Sequence, residues 1–391
     1  MRKNSFFAAL AMLCLSTTSL AQQFNFDASY TDLYKAGDAN VHTYRIPAII
    51  QSKDGTILAF AEARQGTASD TGDINMVVRR SKDGGKTWGD IITIWDDGKN
   101  VCGNPAPVVD QRTGRIVLLM TWNKGSDHEP DIFNRTSEDT RRVYMTYSDD
   151  DGLSWATPVE ITQTAKLSEW TWYATGPCHG IQLQKGPHKG RLVISGNHGF
   201  DKPNGQCNGN SSHLIISDDG GKTWRLGAGE DNELEKGNES TVAQLKNGDL
   251  MLNMRNAYVD NYQAQGSARR VAISHDAGES FAAADIYHDR MLLEPICQGS
   301  LLNYTPKGKL TDVLLFSNPA STVRRNMTVK KSQDSGQSWS VVFQDSHSHA
   351  AYSDLVSLQN GDVALLYETG KKNAYEAIRF VVIPKERIQQ K

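Results

Sequence analysis

The sequence predicts an all-β fold, a six-bladed β-propeller built from four-stranded antiparallel blades. Three observations predict it: a turn motif that recurs five times, the spacing of its copies, and six hairpin patterns between them. The copies begin 67, 69, 57 and 58 residues apart, a period too long for a solenoid repeat and suited to a propeller blade with its loops. The five copies are Ser81–Trp88, Ser148–Trp155, Ser217–Trp224, Ser274–Phe281 and Ser332–Trp339.

Each copy reads Ser-x-Asp-x-Gly-x-Ser/Thr followed by Trp or Phe, and we call it an Asp-Gly turn. The Asp side chain can accept hydrogen bonds from backbone N–H groups, the Gly can adopt a positive φ, and the aromatic ring can pack beneath. We therefore expect these motifs to stabilise turns. A Ca²⁺ site is the alternative, since carboxylates are plentiful, although no ordered ligand spacing is present.

The first 21 residues are expected to lie outside the fold. Arg2 and Lys3 precede an apolar stretch from Phe6 to Leu15, and small residues stand at Ser19 and Ala21. This pattern is typical of a secretory signal peptide that is too short for a stable membrane span. We expect export to the periplasm or the extracellular space, with a lipoprotein attached through Cys14 as the alternative.

Residues 22–391 are expected to form a single domain in which one unit is repeated six times. Each unit begins with a hairpin whose turn contains Gly and whose strands are rich in β-formers. A third strand follows and leads into the Asp-Gly turn, after which a fourth strand completes the blade. The six hairpins are Pro47–Ala61, Pro105–Trp122, His179–Gly196, Ser240–Met254, Gly299–Ser317 and Ser353–Tyr367.

The third strands are predicted at Ile74–Arg80, Arg142–Tyr147, His213–Ile216, Arg270–Ile273 and Met327–Lys331. The sixth unit ends after Ala377–Ile383 without an Asp-Gly turn. We therefore expect the segment Phe24–Lys35 to supply its outer strand and close the ring.

Composition excludes several classes of function. Without residues 1–21, the chain has 40 basic and 45 acidic residues, a net charge of −5 that gives no general attraction for nucleic acid or anionic membranes. The rest of the chain has no apolar run of transmembrane length, so we expect no membrane span. The remaining cysteines permit three disulfide pairings and lack metal-ligand spacing; they are Cys102, Cys178, Cys207 and Cys297. We expect no metal, no cofactor and a monomer.

Antiparallel topology places every Asp-Gly turn on one rim of the disc, which we call the lower rim. The upper rim then receives the starts of first strands, the ends of second strands and the loops between strands two and three. A single charged residue there would be an ordinary solvated side chain, but together the set is unusual. Its members are Arg45, Arg64, Asp70, Glu239, Arg255, Arg324, Tyr352 and Glu368.

Several arginines that converge on one pocket favour an anion, and a carboxylate fits a guanidinium group best because it binds in a bidentate manner. Two acids and a tyrosine beside them suggest acid–base and nucleophilic chemistry. If the substrate is a sugar whose anomeric carbon bears a carboxylate, a carboxylate nucleophile would be repelled. A neutral Tyr activated by a neighbouring Glu avoids that repulsion.

At these positions the chain resembles the bacterial exo-α-sialidases (neuraminidases) of glycoside hydrolase family 33, over nearly the whole length after residue 21. The Asp-Gly turns resemble that family's Asp boxes, also called BNR repeats. The other matching segments are Tyr44–Pro47, Ala61–Asp70, Tyr173–Leu183, Asn238–Ser240, Met254–Asn256, Arg324–Asn326, Ala351–Ser353 and Leu366–Glu368.

The resemblance implies how sialic acid would be bound. Arg45, Arg255 and Arg324 would hold its carboxylate, with Arg324 preferred to Arg325 because of its distance from Asn326. Glu368 would hold Arg45 in place. Arg64 would contact substituents of the sugar ring.

The resemblance also implies a retaining reaction on sialylated glycoproteins, glycolipids and oligosaccharides. Asp70 would protonate the leaving oxygen and later deprotonate water. Tyr352 would attack C2 while Glu239 takes its proton, so that a covalent tyrosyl-glycosyl intermediate forms.

Two alternatives remain open at this point. A non-catalytic propeller that binds glycans would keep the lower-rim turns but would not need the arginines, Tyr and Glu. A trans-sialidase or an anhydro-forming sialidase would use the same residues and differ in water access, with Trp170, Trp172 and Tyr173 as a candidate acceptor platform or as blade packing.

Overall fold

The computed structural model describes residues 29–201, 209–229, 237–256 and 268–390. Within these ranges the chain is all-β, with 24 strands. In chain order they are β1 (Tyr30–Lys35), β2 (Thr43–Gln51), β3 (Ile57–Arg64), β4 (Ile74–Ser81), β5 (Ile92–Trp95), β6 (Val101–Val109), β7 (Ile116–Asn123), β8 (Arg142–Ser148), β9 (Val159–Glu160), β10 (Tyr173–Thr175), β11 (Ile181–Gln182), β12 (Leu192–Phe200), β13 (Gly209–Ser217), β14 (Arg225–Gly229), β15 (Gly237–Gln244), β16 (Leu250–Asn256), β17 (Ala268–Ser274), β18 (Ile286–Leu293), β19 (Ser300–Asn303), β20 (Leu314–Pro319), β21 (Arg325–Ser332), β22 (Ser340–Ser357), β23 (Val363–Gly370) and β24 (Ala377–Ile383).

Helical structure among the described residues is confined to short segments at connections. None of these helices is long and apolar enough to cross a membrane. The segments are α1 (Glu129–Phe133), α2 (Thr162–Ala165), α3 (Lys385–Gln389) and the 3₁₀ turns Asp38–Asn40, Ala283–Asp285 and Pro306–Gly308.

The strands form four sheets that are antiparallel apart from one parallel bridge, Ile74 with Val101. One sheet has the order β2-β3-β4-β6-β7-β8-β9 with β5 on β4, and another has the order β10-β12-β13-β14 with β11 on β12. The remaining two are β15-β16-β17-β18 and β1-β24-β23-β22-β21-β20-β19. The six predicted hairpins are confirmed as β2–β3, β6–β7, β11–β12, β15–β16, β19–β20 and β22–β23.

The closing strand is also where the sequence predicts it. Within the described part of the predicted segment, β1 pairs antiparallel with β24, and Asp32 forms a salt bridge of 2.6 Å with Arg379. Residues 24–28 of that segment, the predicted signal peptide and Cys207 lie outside the described ranges. The other three cysteines after residue 21 are free and buried.

The long strand β22 differs from the prediction of separate strands. Its first half pairs with β21 and its second half with β23. The segment Gln344–Tyr352 contains no Gly or Pro that would break an extended chain, so one strand runs on from one hairpin unit into the next.

The five Asp-Gly turns share one hydrogen-bond pattern, which the third copy illustrates. Asp219 Oδ1 accepts from the N–H of Thr223 at 3.0 Å, Asp219 Oδ2 accepts from its hydroxyl at 2.7 Å, and the Ser217 hydroxyl accepts from the N–H of Gly221 at 2.9 Å. Gly221 has a φ of +84°, and Trp224 is buried below the turn. The other four copies repeat these contacts. Because each Asp is already engaged by its own turn, the geometry fits turn stabilisation.

A buried polar cluster joins the first strands of the hairpins behind the site. Asp354, which is fully buried on β22, accepts hydrogen bonds from the N–H of Ile49 and of His179, both at 2.9 Å. It also accepts from His179 Nδ1 at 2.7 Å and from the Ser300 hydroxyl at 2.7 Å. A buried carboxylate bonded in this way fixes the strand that carries Tyr352, two residues away.

Candidate active site

A polar cavity of about 270 Å³ gathers the predicted upper-rim residues. Seven of the eight line it, and the eighth, Glu368, is fully buried against Arg45. The seven lining residues are Arg45, Arg64, Asp70, Glu239, Arg255, Arg324 and Tyr352.

A larger cavity of about 620 Å³ is lined by other parts of the same first strands and by hairpin turns. Its lining includes Ile49, Val108 and Leu302 but none of the eight predicted residues. We therefore assign the candidate chemistry to the smaller cavity.

Glu368 anchors both Arg45 and the strand of Tyr352. Its Oε1 accepts from Arg45 Nε at 3.0 Å and from the N–H of Ile46 at 2.9 Å, and its Oε2 accepts from the N–H of Tyr352 at 3.1 Å. Ile46 has a φ of +58°, a left-handed conformation that a β-branched residue rarely adopts. Strain of this kind costs on the order of 1–3 kcal/mol and persists where the surroundings over-determine it. Here the buried Glu368 carboxylate supplies that constraint.

Tyr352, Glu239 and Arg255 form a close hydrogen-bonded group. The Tyr352 hydroxyl donates to Glu239 Oε1 at 2.5 Å, and Arg255 Nη1 donates to Glu239 Oε2 at 2.6 Å and to the Tyr352 oxygen at 3.3 Å. Burial raises the pKa of Tyr352 well above its usual value, the Glu239 carboxylate raises it further, and the guanidinium groups nearby offset only part of this. The phenol is therefore neutral at rest, with a base in position to accept its proton.

Asp70 lies at the mouth of the cavity, where 69% of its side chain is exposed. Its Oδ1 is 2.7 Å from Arg64 Nη2 and 3.5 Å from Arg45 Nη1. Desolvation raises the pKa of Asp70, but the charges of Arg64 and Arg45 outweigh it and hold that pKa below its usual value. Asp70 is therefore ionised in the protein without substrate.

Arg64 is buried, and its donors point to neighbours within the protein. Its Nε and Nη2 donate to Glu62 Oε2 at 3.0 and 2.7 Å, and its Nη1 donates to the carbonyl of Ala68 at 2.7 Å. Together with the contact to Asp70, these bonds fix the loop that carries Asp70. Arg64 also lines the cavity, and its predicted contact with the sugar ring stays a prediction.

The structure distinguishes the two adjacent arginines at the start of β21. Arg324 lines the cavity, donates from Nη1 to the Tyr375 hydroxyl at 2.8 Å and from Nη2 to the carbonyl of Ile296 at 3.1 Å. Arg325 is exposed and contacts His349 at 2.8 Å. Arg324 is thus the arginine that faces the cavity.

Sequence reasoning missed further residues that line the cavity. Arg141 is buried, its guanidinium lies 4.0 Å from the centre of the Trp172 ring, and burial lowers its pKa to about 10. Arg141 directly precedes a predicted third strand. It therefore lies in a loop between strands two and three, and such loops are predicted to lie on the upper rim. The others are Ile46, Glu62, Asn104, Glu129, Ala174, Asn197, Asn238 and Tyr375.

The three aromatic residues named as an acceptor platform have different positions. Trp172 lines the cavity. Trp170 stacks on His198 with ring centres 3.4 Å apart, and Tyr173 is fully buried. Trp170 and Tyr173 therefore belong to blade packing.

Comparisons with known proteins agree with this geometry. Residues 55–365 match the family described as BNR repeat-like domain. An exo-alpha-sialidase of Aspergillus fumigatus is 33% identical over 75% of this chain and 68% of its own length. The chain belongs to the exo-sialidase family.

Other sialidases are similar over different extents. A sialidase of Bacteroides fragilis is 30% identical over 85% of this chain, which spans 61% of that protein's length. A sialidase of Micromonospora viridifaciens is 30% identical over 87% of this chain, which spans 52% of its length. These relatives are thus considerably longer than the part that matches.

Solved sialidase structures have the same fold. The Hadza microbial sialidase Hz136 superposes with a TM-score of 0.76 at 27% identity, over 92% of this chain and 69% of that one. An intramolecular trans-sialidase from Ruminococcus gnavus superposes with a TM-score of 0.70 at 18% identity, over 92% of this chain and 98% of that one. The second likeness concerns the fold alone.

Proposed function

We propose that the protein is a retaining exo-α-sialidase that hydrolyses terminal α-linked sialic acids from glycoproteins, glycolipids and oligosaccharides. One observation carries the proposal: the Tyr352 hydroxyl lies 2.5 Å from a carboxylate oxygen of Glu239 in a cavity that five arginines line. The arginines suit a substrate carboxylate, and the Tyr–Glu pair suits attack on a carbon that carries one.

Substrate binding prepares Asp70 to act as an acid. Before substrate binds, Arg64 and Arg45 keep the Asp70 carboxyl ionised. A substrate carboxylate that binds Arg45 offsets part of that positive charge and excludes water, and both effects raise the pKa of Asp70. The acid therefore becomes competent when the sugar is in place.

In the first chemical step the oxygen of Tyr352 forms a bond to C2 and its proton passes to Glu239. The bond between C2 and the glycosidic oxygen breaks, and Asp70 gives its proton to that oxygen. In the second step Asp70 takes a proton from water, the water oxygen bonds to C2, and Tyr352 leaves and recovers its proton from Glu239. Two displacements at C2 give net retention.

Hydrolysis of a fluorogenic sialoside tests the activity, and NMR of the first product separates the outcomes. An α-configured free sialic acid supports retaining hydrolysis. A 2,7-anhydro product would instead show an anhydro-forming sialidase. Transfer of sialic acid to an added galactoside would show a trans-sialidase. A complete lack of turnover with retained sialoside binding would favour the non-catalytic alternative.

We also propose that the four sheets make six four-stranded blades of one propeller. The largest sheet is joined at its middle only by the bridge between Ile74 and Val101, which supports a division into β2–β5 and β6–β9. The two halves of β22 pair with different neighbours, which supports a fifth blade ending in its first half and a sixth that comprises its second half, β23, β24 and β1.

The site would face a compartment where glycans occur if residues 1–21 direct export, as their pattern predicts. Fractionation of the native host with mass spectrometry of the N-terminus tests this. Cleavage after Ala21 supports export, and an intact N-terminus in the cytosolic fraction contradicts it.

A further inference from the structure

The arginines of the cavity differ in how their charge is balanced. Arg45 pairs with Glu368, and Arg255 pairs with Glu239. Arg324 has no carboxylate partner in the part of the chain that the structure describes. Its hydrogen bonds go to the Tyr375 hydroxyl and the Ile296 carbonyl, which are both neutral.

Tyr375 lies on the connection between β23 and β24 and touches two of these arginines. Its hydroxyl accepts from Arg324 at 2.8 Å, and the centre of its ring lies 4.3 Å from the guanidinium carbon of Arg45. The N–H of Tyr375 donates to Asn373 Oδ1 at 2.8 Å, which fixes the connection locally. The residue is partly buried and packs against a small buried cluster that includes Tyr352.

The neutral hydroxyl of Tyr375 leaves the positive charge of Arg324 unbalanced, which a carboxylate partner would not. A carboxylate on Arg324 would orient the guanidinium but would also neutralise it and compete with an incoming anion. A phenol hydroxyl orients the group by one hydrogen bond and leaves its full charge for the ligand. The aromatic face beside Arg45 likewise stabilises a cation without neutralising it.

We propose that Tyr375 is a positioning residue that aims Arg324 at the substrate carboxylate while preserving the charge of Arg324, and that its ring also holds the guanidinium of Arg45 in place. The proposal rests on the proposed function, because it assigns a carboxylate ligand to the cavity. Tyr375 acts through the arginines, so its removal should weaken recognition of the carboxylate and leave the proton transfers of Tyr352 and Glu239 intact.

Two variants separate the hydroxyl from the ring. Tyr375→Phe keeps the ring beside Arg45 and removes the hydrogen bond to Arg324, so KM for a sialoside should rise about three- to tenfold with kcat nearly unchanged. Tyr375→Leu also removes the ring and should raise KM further. Tyr304→Phe is the matched control, because its hydroxyl donates to the Gly361 carbonyl at 2.6 Å in a hairpin-turn region away from the cavity.

The deciding measurement is the affinity for the 2,3-unsaturated analogue of sialic acid and for its methyl ester. Tyr375→Phe should lose about three- to tenfold for the acid and nothing for the ester, and Tyr304→Phe should lose neither. Equal losses for acid and ester, or no loss for the acid, would overturn the role of Tyr375. A wild-type protein that neither binds the acid nor cleaves sialosides would instead contradict the proposed function.

Discussion

The hydroxyl of Tyr352 lies 2.5 Å from Oε1 of Glu239, although 113 residues separate them in the chain. Arg255 touches both groups and balances the charge of the carboxylate. This arrangement keeps a neutral phenol beside a carboxylate that can accept its proton, as the proposed attack by Tyr352 needs.

Replacement of the proposed nucleophile should abolish turnover without unfolding the protein. Tyr352→Phe removes only the hydroxyl, so kcat should fall by roughly a thousandfold or more. Affinity for the 2,3-unsaturated analogue and the melting temperature should stay close to those of the wild type. Hydrolysis at a wild-type rate would reject Tyr352 as the nucleophile.

Replacement of Arg255, which pairs with Glu239, and of Arg324, which pairs with no described carboxylate, should change different kinetic constants. Arg255→Ala or Arg324→Ala should each lose about 2–5 kcal/mol of transition-state binding. For Arg324→Ala the loss should appear mainly in KM, because this residue contacts no catalytic acid. For Arg255→Ala it should appear in kcat as well, because Glu239 then keeps an unbalanced charge next to Tyr352.

Steady-state kinetics on one fluorogenic sialoside measures both variants, and the exposed Arg325→Ala is the control. A change in kcat/KM of less than about tenfold for either cavity arginine would contradict carboxylate binding there.

The acid role of Asp70 should depend on the leaving group. Asp70→Ala should reduce kcat/KM by roughly 10²–10⁴ on a natural glycan, whose leaving oxygen needs a proton. The loss should be much smaller on a sialoside with a good aryl leaving group. Equal losses on both substrates would remove Asp70 from that role.

The Asp-Gly turns should make the fold sensitive to acid. The Ser338 hydroxyl, followed by its N–H, lowers the pKa of Asp334 to about 2. Since the folded pKa lies below the ordinary value of about 4, this stabilisation is full above pH 4 and is lost as the pH falls towards 2.

Asp334→Asn should therefore lower the melting temperature at pH 7 by a few degrees and reduce the difference between pH 7 and pH 3. Calorimetry at the two pH values measures this, with the exposed Asp90→Asn as control. An unchanged melting temperature at pH 7 would show that the carboxylate of this turn contributes nothing to stability.

The strands and the rim could be read from the sequence because turn motifs and hairpins are local patterns. The missing Asp-Gly turn of the sixth unit located the closing strand β1, which pairs with β24, and rim topology located Arg45 and Tyr352. The sequence did not predict that the last strand of one unit and the first strand of the next form one continuous strand, β22. This continuity depends on the lack of a chain-breaking residue between them, and no local motif marks it.

Other parts of the site depend on side-chain directions that a strand pattern does not contain. The bonds of Arg64 to Glu62 and to the carbonyl of Ala68 depend on the path of a loop, so the sequence did not reveal them. Tyr375 was missed because it lies on a connection between outer strands, where the sequence gives no periodic signal.

Covalent trapping tests the central claim most directly. The protein is incubated with 2,3-difluorosialic acid, whose fluorine at C3 slows the second step, and digested for peptide mass spectrometry. A fluorosialyl adduct on the peptide that contains Tyr352, and its loss in Tyr352→Phe, is the predicted result. An adduct on Glu239 or Asp70, or rapid turnover of a sialoside by Tyr352→Phe, would contradict the account.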